Sequence, residues 1–573
     1  MNTLPGLSGL SLRADGPDAE DADAILRNAT ELLAAGPDER ALGLLEAAAR
    51  RFPNHAGIAT RMADALQLVA RLPEAEAAYA RALDLDDEQF DPWYGLGCCL
   101  LARWAYGAAE AAFGQALRLQ PAHPQALANL AEVLFQTGRV DAAIARYSAA
   151  LGLGDGAVDA MARRNVAIMI PGSPAAGNAT VLAVRRSFAA DLPRAPRPTA
   201  TGRTGRKLQV AYISSYFGGS HWMKPVFAVI NRHDRDRFAI HLIADGDQPT
   251  AEGGWRGHAE DTVWRVRGLD NDSLAARIAE AGIDVLIDLN GYSVPNRLGL
   301  FARRPAPVQL GWFNMFATTG TDAFDALIGD DAVLPPEEEG FYSEPILRVP
   351  GSYLAFEVAY PVPDVEPPPS LSAGAITFGS LCSAIKLTDP VIAAWGRILR
   401  GAPQSRLLLR HGTLEDGSNQ ALLRARLAQE GVDPERLTLE GRAPHQEFLE
   451  TYGRIDIALD TFPYNGGTTT TEALWQGVPV LSFNGDRWAS RTSRSLLLAA
   501  GLGDWVADDL DGYVDRAITR ASDPATPGRL AALRQGMRER LRASQVCDTA
   551  GLCTALEGIY EAEFAARQAA APG

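Results

Sequence analysis

The sequence has few cysteines and no long hydrophobic run. Its five cysteines, of which Cys98 and Cys99 are adjacent and Cys382, Cys547 and Cys553 are far apart, form neither a paired disulfide framework nor a zinc-ligand spacing. No stretch approaches about 18 uninterrupted apolar residues, and no basic region followed by an apolar core opens the chain. We therefore expect a soluble protein of the reducing cytoplasm, without signal peptide or membrane partner.

The sequence also has fewer basic than acidic residues. The 54 Lys and Arg residues against 70 Asp and Glu residues give a net charge of −16. This balance disfavours a nucleic-acid partner, so any anionic ligand must be bound by local geometry. The length of 573 residues exceeds what one core supports, and two to four domains are expected.

An internal repeat marks the region 22–168, which is rich in alanine and leucine. Tyr79, Phe113 and Tyr147 begin similar segments 34 residues apart, the period of tetratricopeptide repeats. The spacing predicts an α-helical solenoid of about four repeats; the alternative is an unrelated Ala-rich bundle. An apolar outer face at about 22–50 could support a homodimer, although an ordinary N-terminal cap would look the same.

Residues 169–207 are rich in Pro, Gly, Ala, Thr and Arg and predict a linker without assigned function. Beyond it, strand-like runs alternate with helical stretches, which predicts parallel sheets in two doubly wound lobes, 208–360 and 361–505. Residues 506–573 read as C-terminal helices. The strand-like runs are LQVAYISS, RFAIHLIA, IDVLIDLNGY, FDALIGD, AITFGS, SRLLLR, IDIALD and VPVLSF.

The segment IDIALDTFPYNGGTTTTEALWQGVPVLSF, residues 455–483, predicts a strand, a glycine-containing loop and a helix start. Glycines allow close backbone approach, and a helix start presents unpaired amides to an anion, so the segment predicts a diphosphate site. Its expected members are Asn465, Gly466, Gly467, Thr468, Thr469, Thr470 and Glu472, the last reaching a sugar or ribose hydroxyl. The structural alternative is that Thr468 N-caps the helix and Glu472 completes a capping box.

Lys386 lies in ITFGSLCSAIKLTDPVIAAW, residues 376–395, between a strand ending in Gly-Ser and a helix start. A lysine at the carboxyl end of a strand can neutralise a phosphate as a point charge. A single lysine in this position is weak evidence for a phosphate site, and the neighbouring segments strengthen the prediction.

Four segments together resemble the bacterial O-linked N-acetylglucosamine transferase-like family. They are FGSLCSAIKLTDP, EGRAPHQEFLETY, LDTFPYNGGTTTTEALWQGVPVL and the N-lobe segment DLNGYSVPNRLGLFARRPAPVQLGW, residues 288–312. The resemblance implies a tetratricopeptide solenoid followed by a GT-B fold of two Rossmann-like lobes. It also implies an inverting transferase that uses neither a metal nor another cofactor and moves a sugar, usually from UDP-N-acetylglucosamine, to protein Ser or Thr hydroxyls.

The resemblance also implies roles for individual residues. Lys386 matches the lysine that stabilises the leaving diphosphate, and Ser383 matches a position that often holds Gln or Asn. The nucleotide-sugar site would further include Ala443, Pro444 and His445 around the base and ribose, and Gly467, Thr468, Thr469 and Glu472 at the helix start. Phe448 stands where relatives often carry His and can stack on a base without hydrogen-bonding to it, and Glu472 stands where some members have Asp.

The N-lobe segment SSYFGGSHWMKPVF, residues 214–227, is similar to the family segment in which a histidine faces the cleft. His221, one residue beyond the aligned position of Ser220, is the candidate general base or orienting residue, with a surface or capping histidine as the alternative. Asn290, Gly291 and Tyr292 are candidates for the acceptor side, with a turn-packing role for Tyr292 as the alternative.

Two other functions remain open at this level. One keeps the fold and chemistry but uses another nucleotide-hexose or a non-protein acceptor, which Phe448 and Ser383 leave possible. The other is a repeat scaffold with a degenerate transferase region, which the intact NGGTTTTE segment and Lys386 argue against. In the favoured interpretation, the repeat groove presents a protein acceptor to the cleft.

Overall fold

The computed structural model describes residues 17–34, 36–200, 205–218 and 223–570. These residues form two compact units. One unit contains the described residues up to Asn165 together with Gly412–Arg426, and the other contains Val166–His411 and the described residues from Leu427 onward. No helix in these ranges is long and apolar enough to cross a membrane.

The first unit is built from antiparallel helix pairs, with the 34-residue period that the sequence predicts. Helices α3, α5 and α7 begin at Ala56, Phe90 and Pro124, and each is followed by its partner. The bounds are α1 (Pro17–Ala34), α2 (Glu39–Arg51), α3 (Ala56–Leu68), α4 (Leu72–Leu85), α5 (Phe90–Ala102), α6 (Tyr106–Leu119), α7 (Pro124–Gln136), α8 (Val140–Ala150) and α9 (Gly156–Met169).

The periodic aromatic residues fill the space between successive pairs. Tyr79, Phe113 and Tyr147 are each at most 1% exposed. A Cβ built on Gly95 of α5 would lie 2.2 Å from Cζ of Tyr79, and one built on Gly97 would lie 2.6 Å from the Phe113 ring. Glycine therefore allows the helices to approach the Tyr79 and Phe113 rings closely.

The turn within each pair repeats the same backbone geometry. Ala70, Trp104 and Gly138 all have left-handed φ values, of 61°, 64° and 82°. In each turn the next amide donates back to a carbonyl oxygen five residues earlier, at 2.9 Å. This is the Schellman arrangement, which closes the first helix and starts its partner.

The first lobe of the second unit holds a parallel seven-stranded sheet in the order β3-β2-β1-β4-β5-β6-β7. The strand order reverses between β1 and β4, so the carboxyl ends of these two central strands form a topological switch point. The strands are β1 (Leu208–Ser214), β2 (Phe238–Ala244), β3 (Thr262–Arg265), β4 (Val285–Asp288), β5 (Val308–Gly311), β6 (Ala326–Gly329) and β7 (Ile346–Arg348). The helices are α10 (Asn178–Ala189), α11 (Lys224–Ile230), α12 (Asn271–Glu280) and α13 (Leu298–Phe301).

The second lobe holds a parallel six-stranded sheet in the order β10-β9-β8-β11-β12-β13, with its switch point between β8 and β11. The strands are β8 (Thr377–Ser380), β9 (Arg406–Arg410), β10 (Leu437–Glu440), β11 (Ile457–Leu459), β12 (Val480–Phe483) and β13 (Val506–Ala507). The helices are α14 (Ser370–Ala373), α15 (Asp389–Gly401), α16 (Gly417–Gln429), α17 (His445–Glu450), α18 (Thr468–Trp475), α19 (Thr492–Ala499), α20 (Leu510–Ser522) and α21 (Thr526–Arg542). The last helix, α22 (Thr549–Ala569), packs on the first lobe, where the Tyr560 hydroxyl lies 3.0 Å from the Tyr212 hydroxyl.

Gly412–Arg426, which includes most of α16, belongs with the repeats although it lies between β9 and β10 in the chain. The Asn419 side chain donates to the Trp104 carbonyl oxygen at 2.6 Å and accepts from the Gly107 amide at 2.9 Å. Asn419 thus supplies polar partners to the turn between α5 and α6.

Candidate active site

The switch points of both sheets open into one cleft of about 390 Å³. Ligands in doubly wound sheets bind beyond the carboxyl ends of strands at such points. From the first lobe the cleft is lined by Tyr216, Pro225, Ser293, Phe313, Asn314, Phe316 and, in the following segment, Leu354, Ala355 and Phe356. From the second lobe it is lined by Cys382, Ser383, Ile385, Lys386, Tyr464, Asn465, Gly467, Thr468, Thr469, Thr471 and Thr492.

Asp460, just after β11, holds the loop that leads to α18. Its carboxylate accepts hydrogen bonds from the amides of Thr461 and Gly466 at 2.9 and 3.0 Å and from the Ser482 hydroxyl at 2.6 Å. Burial raises the pKa of the Asp460 carboxyl. Asp460 therefore fixes the conformation of the loop between β11 and α18 through these buried hydrogen bonds.

The start of α18 is open toward the cleft. Gly467 is the N-cap residue, and no side chain caps the helix. The first-turn amides therefore keep their donor capacity for a ligand. The alternative in which Thr468 N-caps the helix and Glu472 completes a capping box is not observed, because Gly467 is the N-cap residue and Glu472 pairs with His445.

The threonines of this helix divide into two groups. Thr468, Thr469 and Thr471 line the cleft. Thr470 is buried, and its hydroxyl lies 2.9 Å from the Ser493 hydroxyl. Gly466 also lies behind the cleft surface, since a Cβ there would lie 2.4 Å from Oγ1 of Thr470. Thr470 and Gly466 thus shape the helix start from within the protein.

Lys386 reaches the loop before α18. Its Nζ donates to the Asn465 carbonyl oxygen at 2.6 Å and lies 4.0 Å from the centroid of the Tyr464 ring. Burial lowers the pKa of the Lys386 ammonium. Asn465 is 3% exposed, and its Oδ1 has no hydrogen-bond partner among the described residues. The cleft thus combines a cation from the loop after β8 with the open amides at the start of α18, and the loop between β11 and α18 holds the unpaired acceptor.

The predicted base loop lies beside α18. His445 Nε2 lies 3.0 Å from Oε1 of Glu472, and its ring is stacked on that of Phe448, with centroids 6.4 Å apart. Ala443, Pro444 and Phe448 do not line the cleft. Glu472 lines a second cavity of about 20 Å³, which shares Thr468 and Thr471 with the cleft.

The first-lobe candidates Asn290, Gly291 and Tyr292 lie at the switch point of the first sheet, but they are buried and do not line the cleft. The Asn290 side chain accepts from the Ser214 hydroxyl and donates to the Ser215 hydroxyl, both at 2.9 Å. Burial raises the pKa of Asp288, which accepts from the Asn290 amide at 2.8 Å, to about 7. Asn290 thereby ties the end of β1 to the loop after β4.

Tyr292 is 5% exposed and donates to the Thr319 carbonyl oxygen at 2.7 Å, and the Arg185 guanidinium lies 3.9 Å from its ring centroid. This is the turn-packing arrangement, and the neighbouring residue that lines the cleft is Ser293. Contact of Asn290, Gly291 and Tyr292 with an acceptor stays a prediction. His221, the candidate general base, lies outside the described residues.

Sequence reasoning missed several cleft residues. Tyr464 and Thr471 lie inside the segment that predicted the diphosphate site, so proximity alone could have suggested them. Phe316 packs on Tyr464, with ring centroids 4.8 Å apart, and joins the two lobes across the cleft. Phe316 follows no spacing that a single sequence reveals.

A helical repeat array followed by two doubly wound lobes, with a lysine and an open helix start facing the cleft between them, defines a GT-B glycosyltransferase. The sequence profile of glycosyl transferase family 41 matches residues 192–360 and 369–556, and a tetratricopeptide-repeat profile matches residues 95–158. The chain belongs to glycosyl transferase family 41. The predicted fold class and the family resemblance are confirmed.

Named relatives agree with this assignment. SPINDLY of Petunia hybrida, a probable UDP-N-acetylglucosamine–peptide N-acetylglucosaminyltransferase, is 33% identical over 360 residues, which cover 62% of this chain and 38% of SPINDLY. The SEC protein of Arabidopsis thaliana, described by the same probable activity, is 29% identical over 371 residues, covering 62% of this chain and 37% of SEC. The chain thus spans less than half the length of these curated relatives.

A solved structure covers more of the chain. A mutant of the O-GlcNAc transferase of Thermobaculum terrenum superimposes with a TM-score of 0.76 at 29% identity. The match covers 97% of this chain and 100% of that protein. The similarity therefore includes the repeats as well as both lobes.

Proposed function

We propose that this protein is an inverting, metal-independent glycosyltransferase that moves N-acetylglucosamine from UDP-GlcNAc to protein Ser or Thr hydroxyls. The observation that carries the proposal is the position of Lys386 in the cleft beside the uncapped start of α18. A departing diphosphate gains charge in the transition state, and a fixed ammonium and helix amides stabilise that charge more than the ground state. Lys386 then supplies charge stabilisation that a divalent cation would otherwise provide.

The donor assignment is supported by the names of the relatives, which specify UDP-N-acetylglucosamine and a peptide acceptor. The unpaired Oδ1 of Asn465 can accept a hydrogen bond from the donor. The repeat array is a type of structure whose extended surfaces bind polypeptides, and we assign the protein acceptor to it.

A different nucleotide-hexose is the second candidate donor, and the residue that favours it is Phe448. Its ring stacks on His445 and has no group that can hydrogen-bond a base. A base would then be selected by stacking and by neighbouring backbone groups, which discriminate less sharply than side-chain hydrogen bonds.

The test is a transfer assay with the full chain in the presence of a chelator. Purified protein is incubated with UDP-GlcNAc, UDP-glucose or a GDP-hexose and a mixture of candidate acceptor proteins, and mass spectrometry locates the added sugar. Lys386→Met serves as the impaired control. We expect N-acetylglucosamine on Ser or Thr side chains from UDP-GlcNAc alone; transfer from another donor, or activity only with added metal, would contradict the corresponding part of the proposal.

A further inference from the structure

A second lysine lies at the cleft, on the opposite lobe from Lys386. Lys224 is the first residue of α11 and is 8% exposed. Its Nζ lies 3.2 Å from the centroid of the Tyr360 ring. Among the described residues, none accepts a hydrogen bond from this ammonium or forms an ion pair with it. Burying a cation without a hydrogen-bond acceptor is costly, and burial lowers the pKa of Lys224, although the charge of the nearby Glu472 carboxylate opposes this shift.

Lys224 faces the same helix start as Lys386. It lines the small cavity of about 20 Å³ together with Thr468, Thr471 and Glu472. Thr468 and Thr471 also line the main cleft, so the small cavity borders the cleft on the side of Lys224. Its volume suits about one water-sized group, such as a single phosphate oxygen.

Lys224 is one of the few lysines in a chain whose basic residues are almost all arginines. Only three of the 54 basic residues are lysines, namely Lys207, Lys224 and Lys386, and all others are arginines. Lys207 forms an exposed ion pair with Glu260, whereas the other two lysines lie at α18. A lysine ammonium is a compact point charge that fits a single phosphate oxygen, whereas an arginine guanidinium is a wide planar fork.

The geometry points to Lys224 as a phosphate-binding residue that contacts the donor diphosphate from the first lobe while Lys386 contacts it from the second. This inference rests on the proposed function, because it requires a nucleoside diphosphate in the cleft. Each phosphate of that group carries a negative charge, and one lysine cannot balance both. Lys224 is a binding and positioning residue.

The test compares ligands with and without phosphate on the full chain. Calorimetry in the presence of a chelator measures the affinities of UDP, inorganic pyrophosphate and uridine for the wild type, Lys224→Met and Lys207→Met. Methionine keeps an unbranched stem against Tyr360 and removes the charge. We expect K224M to weaken UDP and pyrophosphate about tenfold or more, to leave uridine unchanged, and K207M to match the wild type.

Lys224→Arg separates charge from packing, since it should recover part of the UDP affinity lost in K224M. Equal loss of UDP and uridine binding in K224M, or no loss of either, would overturn the inference and leave Lys224 a packing residue. If the wild type binds pyrophosphate through Lys224 but does not favour UDP over uridine, the anion site stands and the proposed function fails. If it binds neither UDP nor pyrophosphate, both are wrong.

Discussion

Lys386 and Asn465 are 79 residues apart in the chain, yet the Lys386 ammonium donates a hydrogen bond to the Asn465 carbonyl oxygen at 2.6 Å. The contact exists because β8 and β11 are neighbours in the sheet, so the loops at their carboxyl ends meet. The cation is held at the start of α18 by the protein itself. In the proposed reaction, such preorganisation would let the ammonium stabilise developing charge without rearrangement.

Replacing Lys386 with methionine tests this role. We expect kcat to fall about 100-fold or more, because the variant loses a charge that acts mainly on the leaving group, while KM for the donor changes much less. Steady-state kinetics with UDP-GlcNAc at saturating acceptor separate the two parameters. A variant that keeps its fold by circular dichroism and retains kcat within a few-fold of the wild type would show that Lys386 has no role in departure of the diphosphate.

The adjacent residues Gly467 and Gly466 at the start of α18 allow two alanine variants to be compared. A Cβ on Gly467 would meet only Thr492 Cγ2, at 3.8 Å, and would occupy space in the cleft. We expect Gly467→Ala to keep the wild-type melting temperature within a few degrees and to weaken UDP binding about tenfold or more, since small misplacements of a ligand are costly. Thermal unfolding and calorimetry measure the two effects.

Gly466→Ala should behave differently, because its Cβ would lie 2.4 Å from Oγ1 of Thr470 and 2.9 Å from Oγ1 of Thr469. We expect a lower melting temperature together with weaker UDP binding, and partial recovery of stability when Thr470→Ala is added. Similar behaviour of the two alanine variants would argue against the distinct positions assigned to these glycines.

Much of the fold could be predicted from the sequence, because periodicity reports on burial. The eight runs predicted as strands all contain strands, and the 34-residue aromatic spacing appears as helix pairs. The strands β3, β5, β7, β10 and β13 were missed, because polar or charged residues interrupt or flank their short apolar segments and leave no continuous apolar run. The inclusion of Gly412–Arg426 in the repeat unit depends on tertiary contacts such as that of Asn419, which carry no local signal.

The site was predictable where its residues are contiguous. Asn465, Gly467, Thr468 and Thr469 line the cleft because one loop and one helix turn present them together. Lys224 and Phe316 were not predicted, since only the approach of the two lobes brings them to α18. Thr470, which was predicted together with these residues, is buried with its hydroxyl beside that of Ser493, and its contact with a ligand stays a prediction.

The left-handed turn residues of the repeats predict a stability difference. Ala70 and Gly138 occupy equivalent turns with φ of 61° and 82°. A residue with a Cβ costs about 1 kcal/mol more than glycine in this conformation. We therefore expect Ala70→Gly to raise, and Gly138→Ala to lower, the free energy of local opening by about that amount. Hydrogen exchange of the flanking helices measures it, and opposite signs would contradict the assigned backbone geometry.

The pH dependence of stability should reflect His233. Its Nδ1 lies 2.9 Å from Glu557 and its Nε2 2.6 Å from the Tyr212 hydroxyl, and burial lowers its pKa below the usual value of 6.5. The unfolded chain therefore binds a proton at a higher pH than the folded chain does. The stabilisation from His233 is full above about pH 6.5 and is lost as the pH falls toward the folded pKa.

We expect the melting temperature of the wild type to fall as the pH is lowered from about 7 to about 5, and to fall less in His233→Gln, which does not titrate in that range. Thermal unfolding at several pH values measures the slope for each protein. An unchanged slope in the variant would show that His233 does not contribute to the acid sensitivity.

The central claim is that Lys386 and the start of α18 form a diphosphate site that works without a metal ion. The most direct measurement is a calorimetric titration of the purified full chain with UDP and with uridine, both in the presence of a chelator. The account predicts that UDP binds at least about tenfold more tightly than uridine, because only UDP reaches the ammonium and the helix amides. Equal affinities, or tight UDP binding only after a divalent cation is added, would contradict it.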